Sequence, residues 1–262
     1  MPSALSYLPL IFGQNIGPQL LARTPEPDNQ VVTDSAQSVA EYDQVMKTKL
    51  AISYALAIET IFRTRSSGIE SAIDIACGPG HLSINMARDL GIKQLVGVDL
   101  SEEMIRTASA NAEKQNSTNV CFEPGDATAL RFESDSFDLC TMMDAAHHLP
   151  TLDAVSTALC ELDRVCKPNG HVVVMDLVRL RSHTLTEKYV NLVGHENVEF
   201  GLTDFLKQFR DSMYAAWTPS ELASAVPKLS SRKWVSIVPV GLPFAQFLLG
   251  LPAKQVSSIY PR

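Results

Sequence analysis

The chain has 262 residues, of which 45% are hydrophobic and 19% charged, a globular composition that excludes a disordered or collagen-like polymer. Twenty-two basic residues against 29 acidic ones leave a formal charge of −7. No run of Lys or Arg exceeds two, so the clustered cationic face that neutralises a phosphate backbone is missing; nucleic acid is not expected as a partner, and a small molecule is.

Residues 1–22 carry no charged side chain. A signal peptide would need a basic start, and Gly13, Asn15, Gly17, Pro18 and Gln19 interrupt the stretch well short of the roughly 20 apolar residues of a membrane span. The segment reads as an arm packed on a neighbouring subunit or on the domain's own active-site face. After a Pro-rich turn from Thr24 to Asp28, Ala40, Val45, Leu50, Ala51, Leu56 and Ile61 recur near helical spacing over 34–64, with Asp34 or Ser35 as cap. Residues 1–65 are thus expected to form an arm and a helical lid.

From Ser71 the pattern changes to short β-rich runs: Ala72–Ala76, Leu95–Val98, Val120–Glu123, Phe137–Met142 and His171–Met175. Helical stretches at 80–90, 102–115 and 153–166 separate them, and this alternation predicts a parallel sheet covered on both faces, with its core over 66–177. Residues 178–217 are polar and rich in Arg, His and aromatics, and read as helices inserted as a substrate lid. Thr218-Pro219-Ser220-Glu221-Leu222 starts a helix with Pro in its first turn. Trp234–Val240 and Phe244–Leu249, joined through Gly241-Leu242-Pro243, then form an antiparallel hairpin on the sheet, so 218–262 completes the core.

Cys77, Cys121, Cys140, Cys160 and Cys166 show no two-residue spacing of a zinc or redox motif. They read as reduced core residues of a cytoplasmic protein.

The strongest local motif is Asp74-Ile75-Ala76-Cys77-Gly78-Pro79-Gly80, a glycine turn between strand and helix, where the backbone can approach a ligand and offer donors at a helix start. Twenty-one residues past Gly78 a second strand ends in Asp99, where a carboxylate accepts from ribose hydroxyls. The third glycine of a dinucleotide fingerprint is replaced by Ser83, which counts against a nicotinamide-dependent oxidoreductase. Further marks are Gly125-Asp126-Ala127 after the third strand, Phe137-Asp138 opening the fourth, and His147-His148-Leu149 following it. Leu162-Asp163-Arg164-Val165 and Lys167-Pro168-Asn169-Gly170 precede the fifth.

This series resembles the class I S-adenosylmethionine-dependent methyltransferases, in the small-molecule branch of quinone-biosynthesis and sterol-type enzymes. It covers about 70–178 by motif and 218–250 by strand pattern, with Ala76 where the family often has glycine. The resemblance implies a Rossmann-like, doubly wound sheet of seven strands with S-adenosyl-L-methionine as cofactor. It implies that Asp74, Ala76, Gly78 and Gly80 surround the methionyl part and that Asp99 binds both ribose hydroxyls. Leu100 and Met104 would pack on adenine, Asp126 would accept from its amino group, and the Ala127 amide would donate to the ring. Met142 or Met143 would place a carbonyl near the ammonium.

The implied reaction is in-line methyl transfer to O, N or C of a small metabolite, with a base only where the acceptor must lose a proton. His147 and His148 follow the cofactor strand and are candidates for that base, because the unperturbed imidazole changes charge near neutral pH; Asp144 is a further candidate. Asp176, at the carboxyl edge of the sheet, is expected to position substrate, together with Tyr42, Arg181 and Tyr214. His81 reads as a helix-terminus residue and His171 as a strand start. No metal is expected, because the carboxylate-rich pattern of catechol-type methyltransferases is not reproduced. The same pocket used for another reaction, and a non-catalytic binding subunit, are the alternatives. The apolar arm and the final hairpin, with Phe244, Phe247, Leu248 and Leu249, could form a homodimer interface or cover the sheet.

Overall fold

The computed structural model describes residues 4–27, 35–48, 51–64, 68–199 and 203–253. Seven strands share one sheet: β1 (Ser71–Ile75), β2 (Gln94–Asp99), β3 (Val120–Pro124), β4 (Phe137–Met143), β5 (Cys166–Leu177), β6 (Arg232–Ile237) and β7 (Ala245–Pro252). Their order is β3-β2-β1-β4-β5-β7-β6. β1 to β5 run parallel, and β7 pairs antiparallel with both β5 and β6. This is the expected mostly parallel sheet with a terminal antiparallel pair. The order reverses between β1 and β4, and the crevice beyond the carboxyl ends at such a switch point is where open α/β sheets bind ligands.

The helices are α1 (Leu8–Asn15), α2 (Ala36–Thr48), α3 (Ala51–Thr64), α4 (His81–Asp89), α5 (Glu102–Lys114), α6 (Leu152–Val165), α7 (His183–Glu199), α8 (Thr203–Ala215) and α9 (Pro219–Ser224). Strand alternation divides the core in two. Leu139, Met143, Val173 and Met175 face Ala57 and Ile61 of α3 and Leu82 and Met86 of α4. Cys140, Met142, Val172 and Val174 face Val155, Leu159 and Leu162 of α6. Burial on both faces is why these strands read as near-continuous apolar runs. The helix starts are chemically marked: Ser101 accepts from the Met104 amide and Thr151 from the Ala154 amide, both at 3.2 Å. Thr218 and Glu221 form a reciprocal capping box.

The N-terminal arm packs on the chain's own face. The Leu20 and Leu21 amides donate to the Arg181 carbonyl at 2.9 and 3.0 Å, and the Thr24 amide to the Tyr214 carbonyl at 3.1 Å. Leu10 of α1 is buried with Tyr189, Val190, Met213 and Phe244. Phe244, Phe247, Leu248 and Leu249 are likewise buried within the chain. Among the described residues no helix is long and apolar enough to cross a membrane.

The structure corrects three expectations. The helical stretch over 34–64 is two helices, α2 and α3; Asp34 and Leu50 lie outside the described residues, and Ser35 takes the cap by accepting from the Ser38 amide at 3.1 Å. β5 begins at Cys166, so His171 lies inside it. The cause is Arg232 on β6, whose guanidinium donates to the carbonyls of Cys166, Lys167 and Gly170 at 2.7–2.8 Å and draws the Lys-Pro-Asn-Gly segment into the sheet. Cys77, Cys140 and Cys166 are core residues, but Cys121 and Cys160 are exposed, one on the edge strand β3 and one on the outer face of α6.

Candidate cofactor and acceptor site

The turn after β1 is built from left-handed backbone. Ala76, Gly78 and Gly80 have φ of 54°, 53° and 79°, a region that costs an L-residue about 1–2 kcal/mol. At Gly80 glycine is also sterically required, because a Cβ would stand 2.6 Å from Cζ of Phe122 and 2.9 Å from Cβ of Ala108. At Gly78 a Cβ would meet only the Tyr42 ring, at 3.6 Å. The Gly78 amide donates to Asp99 Oδ2 at 2.8 Å, and the Ser101 amide to Asp99 Oδ1 at 3.0 Å. Burial raises the Asp99 carboxyl above its usual range, although these backbone donors oppose the rise.

The remaining cofactor candidates lie along the same edge. The Gly125 amide donates to the Asp99 carbonyl at 2.9 Å, bringing the third motif beside the second. Asp126 Oδ1 accepts from the Thr128 amide and hydroxyl, both at 2.8 Å, and Ala127 beside it is half-buried. Leu100 is 55% exposed, whereas Met104 is buried. Met142 and Met143 end β4 and are buried. Asp74 is buried between two hydroxyls: Ser83 donates to it at 2.6 Å and Thr141 at 2.7 Å. Burial pushes its carboxyl up to about 6 against the pull of those two donors.

After β4 the chain turns through Asp144, at φ 50°, into a short helical turn, Ala146–His148. His147 is buried, with Nδ1 2.6 Å from Asp176 Oδ1. Burial disfavours its charge, but the surrounding carboxylates, Asp176 first with Glu26 and Asp144 behind it, raise the ring to about 9. Asp144 is raised to about 7 by burial and by Asp176, against the pull of His147. The His148 ring lies 4.1 Å, centroid to centroid, from that of His147, and its Nδ1 is 2.5 Å from Glu26 Oε2. Ser212 donates to the other Glu26 oxygen at 2.6 Å. Burial works against the Glu26 charge, yet the His148 hydrogen bond and charge hold its carboxyl below the usual range.

Glu26 reaches this place because Arg23 pins the arm. The Arg23 guanidinium donates to the carbonyls of Ala215, Pro150, His147 and Leu149 at 2.7–3.1 Å. It lies 3.7 Å over the Trp217 ring, whose Nε1 donates to the Ala146 carbonyl at 2.8 Å. On the other side α2 brings Tyr42 over Gly78, its ring 6.3 Å from that of Phe205. Burial raises the Tyr42 hydroxyl well above its usual range, helped by the charges of Asp144, Asp99 and Glu26. Asp43, next to it, pairs with His81 at 2.8 Å and accepts from Asn111 at 2.6 Å, fastening α2 to the start of α4.

Of the residues expected at substrate, Tyr42 and Asp176 come together with the histidine pair. Arg181 instead donates to the carbonyls of Gln14 and Gly17, and Tyr214 donates to Glu187 at 3.0 Å; both fasten the arm and the inserted helices. Glu26 and Arg23 had no periodic signal, and only the flanking Pro25 and Pro27 mark Glu26 as extended. A cavity of about 380 Å³ beside Asp138 and Lys167 opens at the amino ends of β1 and β4, the edge opposite these residues.

Residues 72–170 match the family described as a methyltransferase domain. An uncharacterized methyltransferase of Bacillus subtilis (strain 168), YcgJ, is 32% identical over 162 residues, covering 62% of this chain and 59% of YcgJ. A demethylmenaquinone methyltransferase of Lactococcus lactis subsp. lactis (strain IL1403) is 34% identical over 107 residues, 40% of this chain and 41% of that enzyme. The chain therefore spans about four to six tenths of the curated relatives it matches. A crystal structure from Methanococcus maripaludis superimposes with a TM-score of 0.63 at 17% identity, covering 88% of this chain and 97% of that one, which shows a shared fold. Residues 72–170 thus match a methyltransferase domain, and the sheet order around them is the fold shared with the Methanococcus maripaludis structure.

Proposed function

We propose that the chain transfers a methyl group from S-adenosylmethionine to O, N or C of a small-molecule acceptor. The observation that carries this reading is the link from the Gly78 amide to Asp99, which sets an oriented carboxylate beside a turn that a ligand can approach closely. Each Asp99 oxygen keeps a lone pair for one ribose hydroxyl. Asp126, fixed by Thr128, suits the adenine amino group, with the Ala127 amide for the ring and Leu100 and Met104 as apolar walls. Asp74 and the carbonyl of Met142 or Met143 suit the methionyl ammonium, and Ala76, Gly78 and Gly80 supply the backbone around that tail.

Bound there, S-adenosylmethionine supplies a methyl group on a cationic sulfur that leaves as a neutral thioether. The chain's own part is to align the acceptor, exclude water and take up a proton. Asp144, half-buried and raised to about 7, is suited to accept that proton near neutrality. His147 and His148 face the same space and orient the acceptor through their ring nitrogens. The Lactococcus relative is named as a demethylmenaquinone methyltransferase, and the Tyr42–Phe205 pair favours a flat acceptor. Five free cysteines support a reducing, cytoplasmic setting.

Parallel calorimetric titrations with S-adenosylhomocysteine, S-adenosylmethionine and NAD test the cofactor. Micromolar binding of the adenosyl compounds with none of NAD is the expected result, and the reverse pattern overturns the assignment. Asp99→Ala should weaken the adenosyl compounds at least about 30-fold, the loss of roughly 2 kcal/mol for charge-assisted hydrogen bonds, while the thermal transition is kept.

A further inference from the structure

We propose that Glu26, His147 and His148 form a site for one borderline divalent cation of the Zn2+ class, which would hold a hydroxyl of the acceptor. The inference deepens the acceptor side of the proposed function and rests on that reading for the identity of the ligand, not for the site itself.

The donor atoms come first. The three side chains each offer one ligand atom, and these atoms lie within 4.8 Å of one another. Zinc–nitrogen and zinc–oxygen bonds are about 2.0–2.2 Å, so closing on a shared ion takes side-chain movements on the order of an ångström. Two imidazoles and one carboxylate select a borderline first-row ion over Mg2+ or Ca2+, which prefer oxygen-only cages. Three protein ligands also leave a coordination position for a bound oxygen.

The surroundings carry a second, independent argument. A metal-bound histidine ordinarily gives its other ring nitrogen to a carboxylate, and a metal-bound carboxylate is itself hydrogen-bonded. Here Asp176 takes Nδ1 of His147 at 2.6 Å, leaving Nε2 as its ligand atom, and Ser212 holds Oε1 of Glu26 at 2.6 Å. Asp176 is fully buried, and its Oδ2 has no hydrogen-bond partner. Asp144, Asp176 and Glu26 thus gather three carboxylates around two imidazoles. Arg23, whose donors are taken by four backbone carbonyls, stands beside them and offsets one of those charges. With both imidazoles neutral, as ligands must be, a dication would offset the other two, which a buried site otherwise tolerates poorly.

The chemistry follows from the charge. An acceptor hydroxyl bound to the cation loses its proton to water or Asp144, because a bound metal lowers the pKa of its oxygen ligands. The oxygen lone pair then forms the new carbon–oxygen bond as the methyl–sulfur bond breaks and sulfur keeps that electron pair. The cation changes neither charge nor ligand set. No spacing in the sequence announces the site, since Glu26 lies 121 positions before His147 and arrives only through the folded arm.

The test uses the untagged full chain, stripped with a chelator, titrated with Zn2+ by calorimetry and with Co2+ by visible absorption. One equivalent of each is expected, with d–d bands of a nitrogen–oxygen site for Co2+. Glu26→Gln and His148→Gln should each weaken binding at least about tenfold, and Asp176→Asn about 10–100-fold. Retained S-adenosylhomocysteine affinity shows that these variants are folded, and His183→Gln, an exposed imidazole, should leave metal affinity unchanged. Absence of saturable binding, or binding undiminished in both E26Q and H148Q, overturns the site. A chain that binds Zn2+ but no adenosyl compound keeps this site and overturns the proposed function; one that binds S-adenosylhomocysteine but no cation does the reverse.

Discussion

Ser83 stands where a dinucleotide-binding turn places its third glycine, and its hydroxyl donates to Asp74 at 2.6 Å. The departure from the fingerprint thus has a positive cause: it helps hold a carboxylate where burial opposes charge. With Asp74 raised to about 6, the native chain between about pH 4 and 6 keeps a proton that the unfolded chain has given up. The contribution of Asp74 to the stability of the cofactor-free protein therefore falls as pH rises through that window and is constant above it. If Asp74 meets the methionyl ammonium, the cation favours the carboxylate, so affinity for S-adenosylhomocysteine should fall as pH drops through 6 and binding at pH 6 should release a proton. Calorimetry in two buffers of different ionisation enthalpy reads that proton directly; equal heats in the two would remove Asp74 from the ammonium.

Gly80 gives a second prediction at the same scale. Gly80→Ala combines a left-handed φ of 79° with a Cβ pressed to 2.6 Å from Phe122, and the strain and overpacking together should cost about 2–4 kcal/mol. Denaturant unfolding checks it, and a loss below about 0.5 kcal/mol would sink the steric argument. Both residues were legible because the glycine turn and Asp99 are set by local backbone chemistry at short spacing. The roles of Ser83 and Thr141 were not, because they depend on which side chains two neighbouring elements turn toward one buried carboxylate.

At the scale of elements, strands buried on both faces announced themselves as apolar runs, and helices with polar caps announced their starts. Where a partner far along the chain sets a boundary, sequence reasoning fell short. β5 is longer than its apolar run because Arg232 engages the carbonyls that precede it. The arm is the larger case: it lacks helical or strand period between Gly17 and Pro27, yet Arg23 ties it to four carbonyls and Trp217. Hydrogen bonds from a charged donor are worth about 1.5–3 kcal/mol each where removal strands the partner, but these carbonyls can turn to water once the arm lifts. Arg23→Ala should therefore cost about 1–3 kcal/mol in total, concentrated locally. Amide exchange ought to accelerate at Leu20, Leu21 and Thr24 while β1 and β4 stay protected; uniform acceleration would mean that the arm is an integral part of the core.

For the whole molecule, the sheet divides labour along its carboxyl edge. Residues from β1, β2, the turn after β3 and the end of β4 make the proposed cofactor side, all within 74–143. The proposed acceptor side is assembled from distant parts: Tyr42 from α2, the histidine turn after β4, Asp176 from β5 and Glu26 from the arm. Removing residues 1–27 separates the two. It takes away Glu26 and the Arg23 clamp but no residue assigned to the cofactor, so S-adenosylhomocysteine affinity should stay within about threefold, under 1 kcal/mol. Methyl transfer should fall by about 100-fold or more, the scale on which misplacing reacting groups acts. The arm also exposes Leu8, Phe12, Ile16 and Leu20, so solution mass belongs in the same experiment. A dimer that dissociates on truncation would assign that stripe to a second copy, whereas unchanged mass with lost transfer would assign the arm's function to its own chain. If cofactor affinity collapses together with transfer, the division between the two sides is wrong, and the arm supports the fold as a whole.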